Sequence, residues 1–188
     1  MRRRALMIAT TIAALGGSML ASSADAAQPD LANTVYMDLK YGRVVIVLRP
    51  DLAPKNVAQV ERLVREHFYD GTPFWRVIAG FMAQGGDPTG TGTGGSSLPD
   101  LPAEFTDRAE FLRGTVGMAR TSDPNSANSQ FFICLAPATF LDGKYTIIGQ
   151  VVQGMQYVDE IKKGTGQNGA VTDPDRIIHM TMASDAKD

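Results

Sequence analysis

The chain has 188 residues, of which 44% are hydrophobic and 20% are charged, and its formal net charge is −2. This length suits one globular domain once a targeting segment is set aside, and such a domain needs no disulfide to be stable. The single cysteine, Cys134, excludes an intramolecular disulfide, and its apolar neighbours indicate an inert core thiol rather than a nucleophile.

The first 26 residues have the pattern of a secretory signal peptide. Met1–Arg4 is basic, Ala5–Leu20 is mostly apolar, and the small residues of Ala24–Ala26 follow. The pattern predicts export with cleavage after Ala26 or one residue later, and the apolar stretch is short for a membrane anchor. Removal of this segment leaves 15 Lys+Arg (18 − 3) and 19 Asp+Glu (20 − 1), a net charge of −4. A mildly acidic domain without a basic tract does not favour nucleic-acid binding.

We therefore expect an exported protein, periplasmic in the first instance, with secretion as the alternative. Residues 27–33 are predicted to form a short mobile lead-in, and one domain is predicted over residues 34–185.

Apolar and polar side chains alternate from Val35 to Leu39, as in a half-buried strand. Tyr41–Gly42 supplies a turn and the β-branched run Val44–Leu48 follows, so the two segments predict a β-hairpin.

An amphipathic helix is predicted next. Pro54 suits a first helical turn, and apolar residues recur at helical spacing from Val57 to Val64, so the helix should end near His67. Six further segments have the short apolar patterns of strands. They are Phe74–Ile78, Phe81–Gln84, Gly114–Ala119, Gln130–Leu135, Thr146–Val152 and Ile177–Met182.

The rest of the chain contains one more helix and one long irregular region. Met155, Val158 and Ile161 predict a second helix that Gly164 would stop, and residues 85–114 are mostly irregular. There is no internal repeat. A β-rich chain with two separated helices favours a closed barrel over a parallel α/β sheet.

Two patterns resemble functional motifs but are better explained otherwise. Gly90–Gly95 contains G-x-G-x-x-G, yet Pro99 and Pro102 follow where a nucleotide-binding motif needs a helix, so a flexible glycine loop is expected. His67 and His179 lack the spacing of a metal pair and lie in different parts of the chain. We therefore expect no metal and no cofactor.

The segment Phe74–Asp87 is the most informative one. It places a permanent cation, Arg76, among apolar neighbours, and a buried arginine needs a partner, which Gln84 could supply. On their own, Phe81 and Met82 would be taken for ordinary core residues.

Three segments together, Phe74–Asp87, Gly117–Ile133 and Phe140–Tyr145, resemble the cyclophilin family of peptidyl-prolyl cis–trans isomerases. The resemblance extends from about Val35 to Met182. It implies a mainly β fold, an eight-stranded antiparallel closed barrel capped by two α-helices. It also implies an enzyme that isomerises X-Pro bonds of proline-containing polypeptides, here in exported proteins whose folding it would assist. The oligomeric state is open, and a monomer is expected because nothing in the sequence points to an obligate partner.

The resemblance also implies a role for individual residues. Arg76 would be catalytic and would stabilise the twisted amide, with Gln84 orienting it. The substrate-binding residues would be Phe81, Met82, Ala119, Arg120, Gln130, Phe132, Phe140, Leu141 and Tyr145. Among these, Phe81, Met82, Phe132 and Leu141 would form the proline pocket. Phe140 and Tyr145 replace the tryptophan and histidine of the best-known members, so only weak cyclosporin binding is expected.

Two alternatives to the enzyme are open. A peptide-binding chaperone or scaffold of the same fold could have incidental isomerase activity, although the intact set of Arg76, Phe81, Gln84 and Phe132 favours catalysis. An outer-membrane barrel would need longer alternating strands with lipid-facing apolar bands, which the helices and the glycine loop disfavour.

Overall fold

A computed structural model describes residues 30–186. The predicted signal peptide and residues 27–29 of the lead-in lie outside the described residues. The strands are β1 (Thr34–Leu39), β2 (Gly42–Leu48), β3 (Arg76–Ile78), β4 (Met82–Gly85), β5 (Thr115–Met118), β6 (Phe131–Cys134), β7 (Ile147–Gln153) and β8 (His179–Met182). The two α-helices are α1 (Pro54–Arg65) and α2 (Met155–Glu160).

All eight strands belong to one antiparallel sheet with the order β3-β4-β6-β5-β7-β2-β1-β8. The β1–β2 hairpin pairs Thr34 with Val47, and the β3–β4 hairpin pairs Arg76 with Gln84. The larger core cluster is formed by side chains from both halves of the sheet and from α1. The mainly β fold with eight antiparallel strands and two helices is therefore as predicted.

The prediction of a closed barrel is wrong, because the sheet is a curled half-barrel whose edge strands β3 and β8 do not pair. Instead, the segments that precede these strands are hydrogen-bonded to each other. Gly71 N–H donates to the Ile177 carbonyl at 2.8 Å, and Phe74 N–H donates to the Asp175 carbonyl at 2.9 Å. A ladder between β3 and β8 does not form, because the outer edge of β3 pairs with residues 169–171 instead. Val77 N–H donates to the Gly169 carbonyl at 2.8 Å, and Val171 N–H donates to the Trp75 carbonyl at 3.0 Å.

Helix α1 lies against β8 and buries the apolar face that the sequence predicts. Its first turn is capped by Glu104, whose carboxylate accepts hydrogen bonds from the backbone N–H groups of Lys55 and Asn56 at 3.1 and 2.9 Å. A carboxylate at this end also interacts favourably with the helix dipole. The helix ends at Arg65, near His67 as predicted, and His67 adopts a left-handed conformation with φ 57°.

Two smaller expectations also differ from the structure. Helix α2 ends at Glu160, where the buried Ile161 turns to an extended conformation, so Gly164 does not stop the helix. Gly164 instead donates its N–H to the Val77 carbonyl at 2.9 Å. In the predicted lead-in, Leu31–Asn33 form a 3-10 turn that Asp30 caps.

The segment between β4 and β5 is irregular, as predicted, and no helix follows its glycine loop. This excludes the dinucleotide-binding interpretation of Gly90–Gly95 on structural grounds. Within residues 30–186, no helix has both the length and the hydropathy that a membrane span requires.

Candidate functional site

Arg76 begins β3 and lies in register with Gln84 of the neighbouring strand β4. Its Nε–H donates to the Asn168 carbonyl at 2.8 Å, and one terminal N–H donates to Gln84 Oε1 at 3.2 Å. Within the described part of the chain, no carboxylate forms an ion pair with Arg76. The half-buried guanidinium is thus oriented by neutral groups, and its positive charge is not neutralised.

An apolar pocket of about 260 Å³ lies beside this guanidinium. The structure brings ten of the eleven predicted site residues together around it. They are Arg76, Phe81, Met82, Gln84, Ala119, Arg120, Phe132, Phe140, Leu141 and Tyr145. Met82, Phe132 and Leu141 are buried, whereas Phe140 is 61% exposed at the rim. A cavity with buried apolar residues and two arginines in its lining suits a compact apolar group attached to a polar backbone.

The eleventh residue, Gln130, lines a larger neighbouring groove of about 710 Å³. Four residues line both cavities, and they are Arg76, Gln84, Ala119 and Arg120. The far wall of the groove is formed by the glycine loop and by polar side chains such as Asp100 and Asn128. An extended peptide could therefore place one apolar side chain in the pocket and its neighbours in the groove.

Gln84 and Gln130 connect the pocket to the groove by hydrogen bonds between their side chains. Gln84 Nε2 donates to Gln130 Oε1 at 3.0 Å, and Trp75 Nε1 donates to the same oxygen at 3.2 Å. Gln130 Nε2 donates to the carbonyls of Gly92 and Gly94 at 3.1 and 2.9 Å. Each amide is therefore fixed at both ends, which determines which way its oxygen points.

The glycine loop is held in turn by Asp87, which is fully buried. One carboxylate oxygen accepts hydrogen bonds from the Thr89 N–H and hydroxyl at 2.8 and 2.7 Å. The other accepts from the N–H groups of Gly92 and Gly94 at 2.6 and 3.2 Å. Burial by itself would raise the pKa of the Asp87 carboxyl, but these hydrogen bonds outweigh burial and hold the pKa below its usual range.

Glycine is required at position 92 for two reasons. Its φ of +88° is unfavourable for residues with a side chain, and a Cβ there would lie 2.6 Å from the Trp75 ring. The loop that resembled a nucleotide-binding motif thus has a structural explanation.

Aromatic side chains form the rim of the pocket. The Phe140 ring lies 5.3 Å from the Phe81 ring, and Tyr145 packs edge-on against Phe132 at 5.8 Å. The Arg120 guanidinium lies over the Tyr145 ring at 4.5 Å and donates to the Lys144 carbonyl. The Arg120 side chain therefore shapes the rim of the pocket.

Cys134 lies behind the pocket, in the same buried cluster as Met82 and Phe132. Burial, with a smaller contribution from the Asp142 charge, raises the pKa of its thiol to about 12. The prediction of an inert core thiol is therefore confirmed, since the nucleophilic thiolate is not available at neutral pH.

His67 and His179 lie in different parts of the sequence, but the fold brings them together. The rings of His67 and His179 are stacked with centroids 5.2 Å apart, and Asp70 lies beside both. The fold brings the end of α1 next to the start of β8, a proximity that sequence spacing does not reveal.

Sequence reasoning also missed three groups that support the predicted residues, namely Trp75, Asp87 and the Asn168 carbonyl. Trp75 and Asp87 lie within the informative segment Phe74–Asp87, but their residue types alone do not indicate a supporting role. Asn168 lies 92 positions from Arg76 in the sequence and contributes only its backbone carbonyl. The identity of its side chain therefore gives no indication of this role.

Comparison with known proteins gives a consistent result. Residues 34–182 match the family model described as "Cyclophilin type peptidyl-prolyl cis-trans isomerase/CLD". A Brucella suis protein named "Probable peptidyl-prolyl cis-trans isomerase" is 52% identical, and the alignment covers 98% of each chain. The human "Peptidyl-prolyl cis-trans isomerase-like 1" is 40% identical over 76% of this chain and 86% of its own.

Two solved structures have the same fold. A cyclophilin from Hirschia baltica superimposes with a TM-score of 0.74 at 29% identity, covering 84% of this chain and 76% of its own. A cyclophilin-type isomerase from Cryptosporidium parvum, crystallised in the presence of the dipeptide Ala-Pro, gives a TM-score of 0.72 at 29% identity. That match covers 79% of this chain and 98% of its own.

Replacing Asp87 by asparagine should destabilise the protein by about 1–3 kcal/mol, because an amide cannot replace a carboxylate that accepts four hydrogen bonds. Since the folded pKa of Asp87 is depressed, its stabilisation is present above the unfolded pKa of about 4 and is lost as the pH falls through the folded pKa. Urea unfolding at several pH values measures this.

The difference between parent and Asp87→Asn should be constant near neutrality and should shrink below about pH 4. Asp107→Asn, at an exposed carboxylate, serves as the matched control and should change little. A difference that did not vary with pH would contradict the assigned role of the carboxylate charge.

Proposed function

The chain belongs to the cyclophilin family and is a peptidyl-prolyl cis–trans isomerase, and we propose that it acts on X-Pro bonds of exported proteins through Arg76. The observation that carries the proposal is the un-neutralised Arg76 guanidinium, held by Asn168 and Gln84 at the edge of an apolar pocket.

The proposed mechanism follows from the electronic structure of the amide. Rotation about a peptide bond costs about 18–20 kcal/mol because resonance must be broken. An X-Pro bond has two accessible isomers, but they exchange only over roughly tens to hundreds of seconds. At the twisted transition state the prolyl nitrogen recovers its lone pair, which can then accept a hydrogen bond from Arg76. This interaction is absent in the planar ground state, so it lowers the barrier.

The pocket supports the cation in this scheme. Phe81, Met82, Phe132 and Leu141 would hold the proline ring and exclude water, so that the charge acts in a medium of lower dielectric constant. Arginine suits the role better than lysine because it stays charged and presents a fixed fork of donors. The step as proposed needs no covalent intermediate and no cofactor.

The groove would bind the rest of the peptide. Ala119 and the backbone of Arg120 line both cavities and would hold the substrate main chain, while Gln130 would line the neighbouring subsite. The hydrogen-bonded pair Gln84–Gln130 supports this arrangement, because it fixes an amide beside the guanidinium and another beside the groove.

Export is proposed from the N-terminal sequence pattern of residues 1–26. The alignment with the Brucella suis protein covers 98% of both chains, so nearly all of this segment has a counterpart in that relative. A periplasmic isomerase would encounter unfolded exported chains, whose X-Pro bonds have not yet reached their native isomers, and would thereby assist their folding.

A purified Arg76→Ala variant should lose about 10²–10³-fold in kcat/KM for cis–trans exchange of a short X-Pro peptide, because it lacks the donor that reaches the prolyl nitrogen. Arg76→Lys should recover only part of the loss, since lysine lacks the fixed fork. Exchange rates measured by a protease-coupled assay or by NMR test this.

Arg62→Ala is the matched control, because Arg62 is an exposed arginine on α1 paired with Glu66. It should stay within about twofold of the parent. An unchanged rate in Arg76→Ala would overturn the mechanism. A parent that binds proline peptides without accelerating exchange would favour the scaffold or chaperone alternative.

Cyclosporin should inhibit the enzyme only weakly. Phe140 stands where the best-known members of the family have tryptophan, and a phenyl ring cannot donate the hydrogen bond of an indole N–H. We expect Phe140→Trp to tighten inhibition, with Leu112→Trp, at another exposed apolar position, as a control without effect. Tight inhibition of the parent in the exchange assay would refute this explanation.

Expression with the complete N-terminus in a bacterial host should give a periplasmic protein that begins at Ala27 or Gln28. Leu15→Glu should block export, because it places a charge in the apolar region of the signal. Cell fractionation and mass spectrometry of the N-terminus measure both outcomes. A cytoplasmic parent protein that retains Met1 would contradict the export proposal.

A further inference from the structure

We infer that His67, Asp70 and His179 form a binding site for a divalent transition-metal ion of the zinc class, separate from the peptide pocket. One donor atom from each of the three residues lies within 4.8 Å of the other two. Imidazole nitrogen and carboxylate oxygen are ligands that such ions prefer, and three protein ligands plus water complete a tetrahedral site.

The donor atoms already converge. Nδ1 of His179 lies 2.6 Å from Asp70 Oδ2, and Nδ1 of His67 lies 3.3 Å from the same oxygen. Metal–ligand bonds of about 2.1 Å in tetrahedral geometry separate two ligands by about 3.4 Å. The contact between His179 and Asp70 must lengthen, and both imidazole rings must turn out of their present stack so that their nitrogens reach this separation. The two histidines are 63% and 43% exposed, so they have room to turn.

The Asp70 carboxylate is already oriented toward the two histidines. Asp70 Oδ1 accepts the Met180 N–H at 2.9 Å, which fixes the carboxylate and leaves Oδ2 directed at the histidines. Ligands that are oriented by a neighbouring hydrogen bond bind metals more tightly. In the described residues, no lysine or arginine forms an ion pair with Asp70, so no fixed cation competes for the site.

The backbone of His67 also favours a role for its side chain. With φ 57°, it occupies the position after a helix end where glycine is preferred, and a residue with a Cβ there destabilises the fold. Glycine would relieve this cost but would offer no ligand.

The site lies at the open side of the half-barrel. His67 and Asp70 belong to the segment that leads into edge strand β3, and His179 begins the other edge strand, β8. A bound ion would join the two edges that do not pair through a strand ladder. Because the ion binds the folded chain, it should raise the melting temperature.

The test uses tag-free protein, because His67 and His179 are the only two histidines in the sequence. Titration with ZnCl₂ should shift both imidazole signals in the NMR spectrum with one-to-one stoichiometry. At a hundredfold excess over Kd, the melting temperature should rise by about 5 °C, and a chelator should reverse the shift.

His67→Gly is the sharpest variant, because glycine suits the left-handed conformation and removes one ligand. It should fold in zinc-free buffer and lose the zinc-dependent shift, as should His179→Gln, while Asp107→Asn should keep the shift. Absence of a shift in the parent up to about 1 mM zinc, or its persistence in both histidine variants, would overturn the proposal. Isomerase activity is a separate measurement, so either conclusion can fail without the other.

Discussion

The buried carboxylate of Asp87 is the constraint on which the site depends. It fixes the N–H groups of Gly92 and Gly94, and the carbonyls of the same two residues accept hydrogen bonds from Gln130. Gln130 accepts from Gln84, and Gln84 accepts from Arg76. A series of hydrogen bonds therefore connects the buried Asp87 carboxylate to the Arg76 guanidinium at the pocket. Each hydrogen bond in the series orients the group that makes the next one.

The neutral amides of Gln84 and Gln130 suit this series of hydrogen bonds better than charged side chains would. A carboxylate at position 84 would also orient Arg76, but it would form an ion pair and draw the guanidinium away from the pocket. The Gln84 amide oxygen accepts a hydrogen bond from Arg76 but carries no formal charge, so the positive charge of the guanidinium is not neutralised. The only carboxylate in this series of hydrogen bonds is Asp87, and two glutamine side chains and the glycine loop separate it from Arg76.

The local parts of this architecture can be predicted from the sequence, whereas the long-range parts cannot. The alternation at β1 and the spacing of α1 follow from periodicity, and a known family pattern identifies the pocket residues. The failed closure depends on the pairing of β3 with residues 169–171, which are more than 90 positions away from it in the sequence. The contact between Asp70 and His179 joins positions 109 residues apart, so no local pattern could reveal it.

The open side of the half-barrel connects these observations. The outer edge of β3 pairs with residues 169–171 rather than with β8, because Val77 N–H donates to the Gly169 carbonyl at 2.8 Å and Val171 N–H donates to the Trp75 carbonyl at 3.0 Å. The gap is bridged by Gly71 and Phe74 on one side and Asp175 and Ile177 on the other, with the histidine cluster next to it. A metal ion bound to this cluster would stabilise the folded protein at the open side without covering the peptide pocket. The protein could therefore gain stability without losing access of the substrate to the pocket.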